Sequence, residues 1–177
     1  MTIQYHEEVA NFIQPNKSYG WSGKRKHYVQ KYSWAIPTQD AVRHLSTYDH
    51  ILEIGAGNGY WAYEIQKHGG TITPIDISIP SFTWTTVHKS NYTDIPTDSP
   101  LFETVFLCWP PANNSLAADV LDYAEPQKLI FAGIENTTVT GSSKFFKQLQ
   151  NNYTRTYATE LPSWTSFTET FTCFKEK

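Results

Sequence analysis

The stretch "ILEIGAGNGY", residues 51–60, decides the fold of this chain. A short apolar run ends in a loop with glycines at alternate positions 55, 57 and 59, and the amphipathic segment "YWAYEIQKHGG" covers 60–70. Glycine permits positive φ and removes the side chain, so a ligand can lie against the loop backbone. The helix predicted after the loop points its N–H groups at the same place, which favours a negative group by about 0.3–1 kcal/mol. The stretch therefore predicts a nucleotide-type site between a buried strand and a helix.

Short apolar runs alternate with amphipathic stretches on both sides of this loop. The pattern predicts strands at 50–55, 71–77, 84–89, 103–109 and 128–134, and helices at 38–49, 60–70, 114–124 and 142–152. Two alternating runs rich in β-branched and aromatic residues, 153–161 and 163–174, predict an antiparallel pair of strands. We expect an α/β fold with a single doubly wound, mostly parallel sheet and a C-terminal antiparallel hairpin.

Composition limits the class of protein. The chain has 177 residues, 40% hydrophobic and 15% aromatic, which suits one domain with a sizeable core. A net charge of −3 argues against a surface that binds nucleic acid as a whole. Cys108 and Cys173 lie far apart, and the histidines show no ligand spacing, so we expect a reducing compartment and no metal site. Without a signal-like segment or a run of roughly 18 apolar residues, we expect a soluble, cytoplasmic protein.

The first 35 residues differ from the rest, and we expect an N-terminal arm at 1–35 and a domain at 36–177. From Lys17 to Trp34 the arm interleaves five Lys or Arg residues with five Tyr or Trp residues. Such a segment can be a lid that closes a small-molecule pocket against water. It can equally be a solvated arm, and a grip on nucleic acid is a third interpretation.

Two families use a glycine loop of this kind. The dinucleotide fingerprint G-x-G-x-x-G places its third glycine one residue later, and Tyr60 stands where its last small residue should be. The glycine spacing therefore disfavours a nucleotide-cofactor oxidoreductase. Glu53, followed by an apolar residue and G-x-G-x-G, resembles motif I of the class I S-adenosylmethionine (SAM) methyltransferases. Asp76, 23 residues after Glu53, matches the acidic residue that accepts the ribose hydroxyls in that family.

The resemblance covers about residues 34–175 and implies the class I methyltransferase fold with SAM as cofactor. Asn91 matches the family's polar residue near adenine, and Thr38 opens a helix that resembles the one beside the methionine carboxylate. The positions that carry over to cofactor binding are Thr38, Glu53, Gly55, Ala56, Gly57, Asn58, Gly59, Asp76, Ile77, Asn91, Cys108 and Trp109. The order of "WAIPT", "LEIGAGNGYWA" and "LCWPP" also resembles an uncharacterised methyltransferase-like family without an established substrate.

The sequence "CWPPA" at 108–112 resembles the catalytic loop of DNA amino-methyltransferases, Asp/Asn/Ser-Pro-Pro-aromatic. Trp109 stands at the position of the acceptor, but an indole N–H only donates, and Ala112 cannot stack on a flipped base. Methylation of a base amine is therefore disfavoured. Trp109 can instead form a wall for the cofactor's adenine or sulfonium, stack on a flat or cationic substrate, or pack under the loop. Cys108 is most simply a small buried apolar residue.

Glu135, after the fifth predicted strand, and Tyr32, in the arm, are candidate catalytic bases, and a solvated loop acid is the alternative for Glu135. Trp34, Trp109 and Pro110 are candidate substrate contacts. The resemblance implies a SAM-dependent methyltransferase, and we expect a small or medium-sized substrate, with nucleic acid possible but disfavoured and no membrane partner. The alternative is a SAM-binding regulatory or assembly protein without transfer activity, because no catalytic side chain is recognisable in the sequence.

Overall fold

A seven-stranded sheet organises the chain. The computed structural model describes residues 2–10, 23–164 and 167–177. The strands are β1 (Ile51–Ile54), β2 (Ile72–Asp76), β3 (His88–Lys89), β4 (Thr104–Cys108), β5 (Lys128–Gly133), β6 (Tyr153–Leu161) and β7 (Glu169–Glu176). They lie in the order β3-β2-β1-β4-β5-β7-β6. The first five pair in parallel, and β7 runs antiparallel to both β5 and β6. The predicted α/β fold with one mostly parallel sheet and an antiparallel C-terminal pair is confirmed.

Six α-helices connect or cover the strands in the described part of the chain. They are α1 (Gln4–Val9), α2 (Gly23–Lys31), α3 (Gln39–Leu45), α4 (Tyr60–Lys67), α5 (Leu116–Ala124) and α6 (Ser143–Asn152), with 3-10 helices at Tyr92–Asp94 and Pro100–Glu103. The hydroxyl of Thr38 caps α3 by accepting a hydrogen bond from the N–H of Ala41 at 3.2 Å. None of the described helices combines the length and the apolar character that crossing a membrane requires.

The sheet is buried on both faces, which explains the unbroken apolar runs in the central strands. Val105 and Leu107 of β4 pack into the core that contains residues of α5 and α6. Phe106, between them, packs into the opposite core with residues of α3 and α4. Because successive side chains of a strand point to opposite faces, β4 contributes to two separate layers.

The third strand is shorter than predicted. The pattern predicts a strand over 84–89, but only His88–Lys89 pairs with β2. Trp84 is drawn away from the sheet, because its backbone N–H donates to the carbonyl of Asn58 at 2.8 Å and its indole N–H donates to the carbonyl of Lys31 at 2.7 Å. A strand over the whole segment would lose both contacts.

The described part of the N-terminal arm shares a core with the sheet. Tyr5, Val9 and Tyr32 are all at most 1% exposed and belong to the cluster that contains residues of α3 and α4. The rings of Tyr5 and Tyr32 stack with centroids 4.6 Å apart. An ion pair of 2.9 Å between Lys31 and Glu8 also joins α2 to α1. These residues are packed against the domain and do not form a solvated arm. Residues 11–22, with the cation at Lys17, lie outside the described part of the chain.

Candidate functional site

The loop between β1 and α4 leaves part of its backbone open. Gly55, Gly57 and Gly59 have φ of +78°, +57° and +74°. These values lie in the left-handed region, which is unfavourable for residues that carry a Cβ atom. A Cβ added at Gly55 or Gly57 would meet no atom within 4 Å, whereas one at Gly59 would lie 2.8 Å from Cγ2 of Val87. The first two glycines therefore form an open cradle, and the third is required by packing.

Asp76 at the end of β2 faces this cradle. Its Oδ2 accepts a hydrogen bond from the N–H of Gly57 at 2.8 Å, and its Oδ1 accepts one from the N–H of Ser78 at 2.9 Å. Since β1 and β2 are neighbours in the sheet, their carboxyl ends bring the loop and the carboxylate together. The remaining lone pairs of the carboxylate can accept further hydrogen bonds from a ligand.

Glu53 lies beneath the loop and not on its open side. The residue is 2% exposed, and burial, reinforced by the charge of Asp76, raises the pKa of its carboxyl to about 8. Near neutral pH Glu53 therefore keeps its proton. Among the described residues, no group hydrogen-bonds to its Oε2.

The segment after β3 closes the Asp76 side of the site. The N–H of Ser90 donates to the backbone carbonyl of Asp76 at 3.1 Å. Asn91 follows and caps the 3-10 helix Tyr92–Asp94, where its own N–H donates to Oδ2 of Asp94 at 2.8 Å. This cap places the Asn91 side chain near the end of β2.

The exit of β4 is fixed on the other side of β1. Trp109 has φ of +50°, a conformation that is costly for a bulky residue, and its N–H donates to the carbonyl of Ala132 at 2.7 Å. The carbonyls of Pro110 and Pro111 both accept from the N–H of Gly141, at 3.0 and 3.3 Å. The proline pair is thus tied to the segment after β5, and the Trp109 indole is held at the edge of the sheet.

These elements surround one cleft of about 330 Å³ at the carboxyl ends of the parallel strands. Nine of the predicted site residues line it: Trp34, Gly55, Gly57, Asp76, Ile77, Asn91, Cys108, Trp109 and Pro110. Burial raises the pKa of the Cys108 thiol, so this residue stays protonated at neutral pH. The fold therefore brings together predicted site residues from five separate parts of the chain.

Five predicted cofactor contacts do not line the cleft: Thr38, Glu53, Ala56, Asn58 and Gly59. Three of them have structural roles instead. Thr38 caps α3, and Gly59 packs under Val87. The Asn58 amide donates to the carbonyls of Gln30 and Lys31, at 3.2 and 3.0 Å, and so joins the loop to α2.

The two predicted catalytic bases also lie elsewhere. Glu135 accepts hydrogen bonds from the hydroxyls of Thr170, at 2.9 Å, and Thr172, and forms an ion pair with Arg155. These contacts turn it toward β6 and β7, because the two threonines of β7 offer donors there. Tyr32 is 1% exposed and stacks on Tyr5 and on Trp84. Neither side chain lines the cleft.

The sequence prediction missed several lining residues: Ile54, Ile75, Ser90, Tyr92, Leu107, Pro111 and Leu116. Most adjoin predicted positions, since Tyr92 follows Asn91 and Pro111 follows Pro110. Leu116 is the first residue of α5, and its approach to the β4 exit depends on the loop between them. All of these residues except Leu116 are sequence neighbours of predicted site residues, so they could have been predicted from their position in the sequence.

No protein-family model matches the chain, and no curated protein sequence matches it either. Solved structures do resemble it. A proposed O-methyltransferase from Klebsiella pneumoniae is 13% identical with a TM-score of 0.56, over 97% of this chain and 95% of that one. The 1,6-didemethyltoxoflavin-N1-methyltransferase of Burkholderia thailandensis, with bound 1,6-didemethyltoxoflavin and S-adenosylhomocysteine (SAH), is 9% identical with a TM-score of 0.53, over 78% and 77%.

TrmK from M. capricolum, in complex with SAH, is 12% identical with a TM-score of 0.52. The match covers 78% of this chain, which spans 66% of the length of TrmK. At such low identities the likeness concerns the fold and not the activity. The strand order, the glycine loop after β1 and these structures together show that the chain has the fold of the class I methyltransferases.

Proposed function

We propose that this chain binds SAM and transfers its methyl group to a small or medium-sized substrate. The observation that carries the proposal is the open cradle at Gly55 and Gly57 facing the Asp76 carboxylate within one cleft. A nucleoside needs close backbone approach and an acceptor for its ribose hydroxyls, and this arrangement offers both. Structures of the same fold contain SAH, the product form of that cofactor.

The residues of the cleft fit the parts of the cofactor. Asp76 would accept the ribose hydroxyls, and Ile77 and Asn91 would contact the adenine. The backbone of Gly55 and Gly57 would lie against the amino-acid part. When bound, SAM supplies an electrophilic methyl group. What the protein contributes is the alignment of the acceptor, which can provide roughly 7–11 kcal/mol of a barrier.

The cleft offers little acid–base chemistry. Among the described residues that line it, only Asp76, Tyr92 and Cys108 can ionise, and Asp76 is held by two N–H groups. We therefore propose an acceptor that is nucleophilic in its own right or that loses its proton to water. The same observation favours the second candidate function, a SAM-binding regulatory or assembly protein without transfer activity.

Although the proline pair resembles the catalytic loop of DNA amino-methyltransferases, its neighbours disfavour methylation of an exocyclic base amine. Trp109 cannot accept a hydrogen bond from an amine. Ala112 is exposed and does not line the cleft. We infer instead that Pro110 and Pro111 hold the Trp109 indole in place, and that Trp34, which also lines the cleft, contacts the substrate.

Calorimetry with SAH and transfer of a labelled methyl group from SAM test the proposal. We expect SAH to bind with one site per chain and a labelled product to form in at least one fraction of a cell extract. SAH binding without any labelled product would favour the regulatory alternative. No SAH binding at saturating concentration, or preferential binding of NAD, would overturn the proposal.

A further inference from the structure

The hydroxyl of Thr140 binds the backbone where the chain leaves β5. Thr140 is fully buried, and its Oγ1 accepts a hydrogen bond from the N–H of Ile134 at 3.0 Å and donates one to the carbonyl of Ile134 at 2.7 Å. Since buried backbone groups need partners, this hydroxyl fixes the start of the segment 134–141 relative to its end. We call this segment the β5 loop.

Gly133 makes room for the Thr140 side chain. A Cβ added at Gly133 would lie 3.1 Å from Oγ1 of Thr140 and 2.9 Å from Cζ of Phe131. Any other residue at this position would therefore push Thr140 or Phe131 away. The end of β5 is shaped to receive the Thr140 hydroxyl.

Gly141, the last residue of the β5 loop, connects the loop to the exit of β4. Its φ is +91°, and its N–H donates to the carbonyls of Pro110 and Pro111 at 3.0 and 3.3 Å. Because proline has no N–H, the carbonyls are the only backbone groups that these two residues can offer. The N–H of Asn113 also donates to the carbonyl of Thr138 at 3.0 Å. The chain after β4 is thus bonded to the β5 loop at several points.

The conformation of Trp109 depends on these contacts. Its φ of +50° is sparsely populated by bulky residues and persists only where the surroundings hold it. On the strand side, the N–H of Trp109 donates to the carbonyl of Ala132 in β5 at 2.7 Å. On the loop side, the next residue, Pro110, is held by Gly141. Both supports come from β5 or its loop, and Thr140 fixes the second of them.

Thr140 itself lies outside the cleft, whereas Trp109 and the proline pair line it. A hydroxyl that reaches neither the cleft nor solvent can act on a ligand only through the residues that it positions. We propose that Thr140 is a positioning residue, whose hydroxyl, acting through Gly141, holds Trp109 and the proline pair in the orientation in which they line the cleft.

The consequence for methyl transfer rests on the proposed function. SAM would bind at the exits of β1 and β2, so a displaced β4 exit misaligns the acceptor and not the cofactor. A misplacement of about 1 Å can slow a reaction by about a hundredfold. We therefore expect loss of the Thr140 hydroxyl to slow transfer at unchanged affinity for SAH.

Two variants separate the hydroxyl from the shape of the side chain. Thr140→Val keeps the shape, and Thr140→Ser keeps the hydroxyl. Fluorine NMR of protein labelled with 5-fluorotryptophan reports on Trp109, whose signal is identified by its loss in Trp109→Phe. We expect this signal to shift or split in Thr140→Val and to return to the wild-type position in Thr140→Ser. The signal of Trp84, which does not line the cleft, should stay constant in both.

Thr156→Val is the matched control. The hydroxyl of Thr156 also donates to a backbone carbonyl, that of Cys173 at 3.2 Å, but it lies in β6 and outside the cleft. This variant should leave the Trp109 signal unchanged, and calorimetry should give the wild-type affinity for SAH in all the threonine variants. With an extract fraction that yields labelled product, Thr140→Val should slow methyl transfer by about tenfold or more, and Thr140→Ser should restore it.

Hydrogen exchange in the wild-type protein tests the same coupling without a substitution, and so applies even where Thr140→Val fails to fold. Since the contacts form one unit, the amides of Trp109, Ile134 and Gly141 should open together and show protection within about tenfold of one another. A Gly141 amide that exchanges faster than that of Trp109 by more than this factor would show that the β5 loop opens while Trp109 stays in place, which overturns the inference.

The variants can overturn the inference in three further ways. The Trp109 signal can stay unchanged in Thr140→Val, or it can move as far in Thr140→Ser, in which case packing and not the hydroxyl matters. It can also move while the rate of transfer stays the same. If SAH does not bind to the wild-type protein, the proposed function fails, whereas a Trp109 signal that responds to Thr140→Val and recovers in Thr140→Ser still supports the positioning role.

Discussion

The carboxylate of Asp76, at the end of β2, accepts a hydrogen bond of 2.8 Å from the backbone N–H of Gly57, in the loop after β1. A second N–H, that of Ser78, holds the other carboxylate oxygen at 2.9 Å. The acid is therefore oriented before any ligand arrives, and a ligand does not have to supply the free energy of ordering it.

The first prediction concerns this acid. Asp76→Ala should weaken SAH binding by about ten- to a hundredfold, because a hydrogen bond to a charged group contributes about 1.5–3 kcal/mol. Calorimetric titration measures the change. Asp49→Ala is the matched control, since Asp49 is an exposed acid just before β1, at the opposite end of that strand. Unchanged affinity in Asp76→Ala would remove this residue from the site.

A pair of glycine variants separates backbone strain from ligand contact. Gly57 and Gly69 have φ of +57° and +85°, and a Cβ at either would meet no protein atom within 4 Å. Both substitutions to Ala should therefore lower stability by a similar amount, about 1 kcal/mol, measured by urea unfolding. Only Gly57→Ala places a methyl group in the cleft, so only this variant should lose SAH affinity. Equal SAH affinities in the two variants would show that the ligand does not lie against the backbone of Gly57.

The third prediction is a pH dependence. The pKa of Glu53 rises from 4.5 to about 8 in the folded protein, chiefly through burial. Between these values the folded state holds a proton that the unfolded state has released, so stability falls as pH rises through the window. One such group contributes a slope of up to about 1.4 kcal/mol per pH unit. Glu53→Gln should remove this contribution.

The measurement is urea unfolding of wild type and Glu53→Gln between about pH 5 and about pH 8. The stability of the variant relative to wild type should increase with pH. Glu169, whose pKa is also raised to about 8, is present in both proteins and cancels in the comparison. A difference that stays constant across this range would show that Glu53 is already ionised in the folded state.

The fourth prediction concerns Glu135, which contacts Thr170, Thr172 and Arg155. Glu135→Gln should lower the free energy of unfolding by about 1–2 kcal/mol, because hydrogen bonds and an ion pair of a largely buried carboxylate are weakened. Thermal unfolding gives this change, and SAH affinity should not move. A loss of methyl transfer at unchanged stability would instead show that Glu135 acts as a base.

The glycine-loop half of the cleft could be predicted from the sequence because its signals are local. The glycines at 55 and 57 follow a strand directly, and Asp76 ends the next one. The position of Glu135 could not be predicted in this way. Its place after β5 suggested the cleft, but the direction of the side chain depends on Thr170 and Thr172, which β7 brings alongside.

The aromatic half depends on contacts between distant parts of the chain. Arg25, Trp34 and Trp109 meet only because α2 packs on the domain. The sequence showed basic and aromatic residues interleaved in the arm, but not which cation would lie against which ring. Periodicity predicts the face of an element and does not predict such tertiary neighbours.

The position of β7 also has a consequence for how the molecule is made. This strand is the last of the seven along the chain, yet it lies between β5 and β6. During synthesis, the edges of β5 and β6 that pair with β7 stay unpaired until β7 has been made. Unpaired strand edges can associate with other nascent chains. Conditions that slow the arrival of Glu169–Glu176 should therefore reduce the yield of native protein more than they change its final stability.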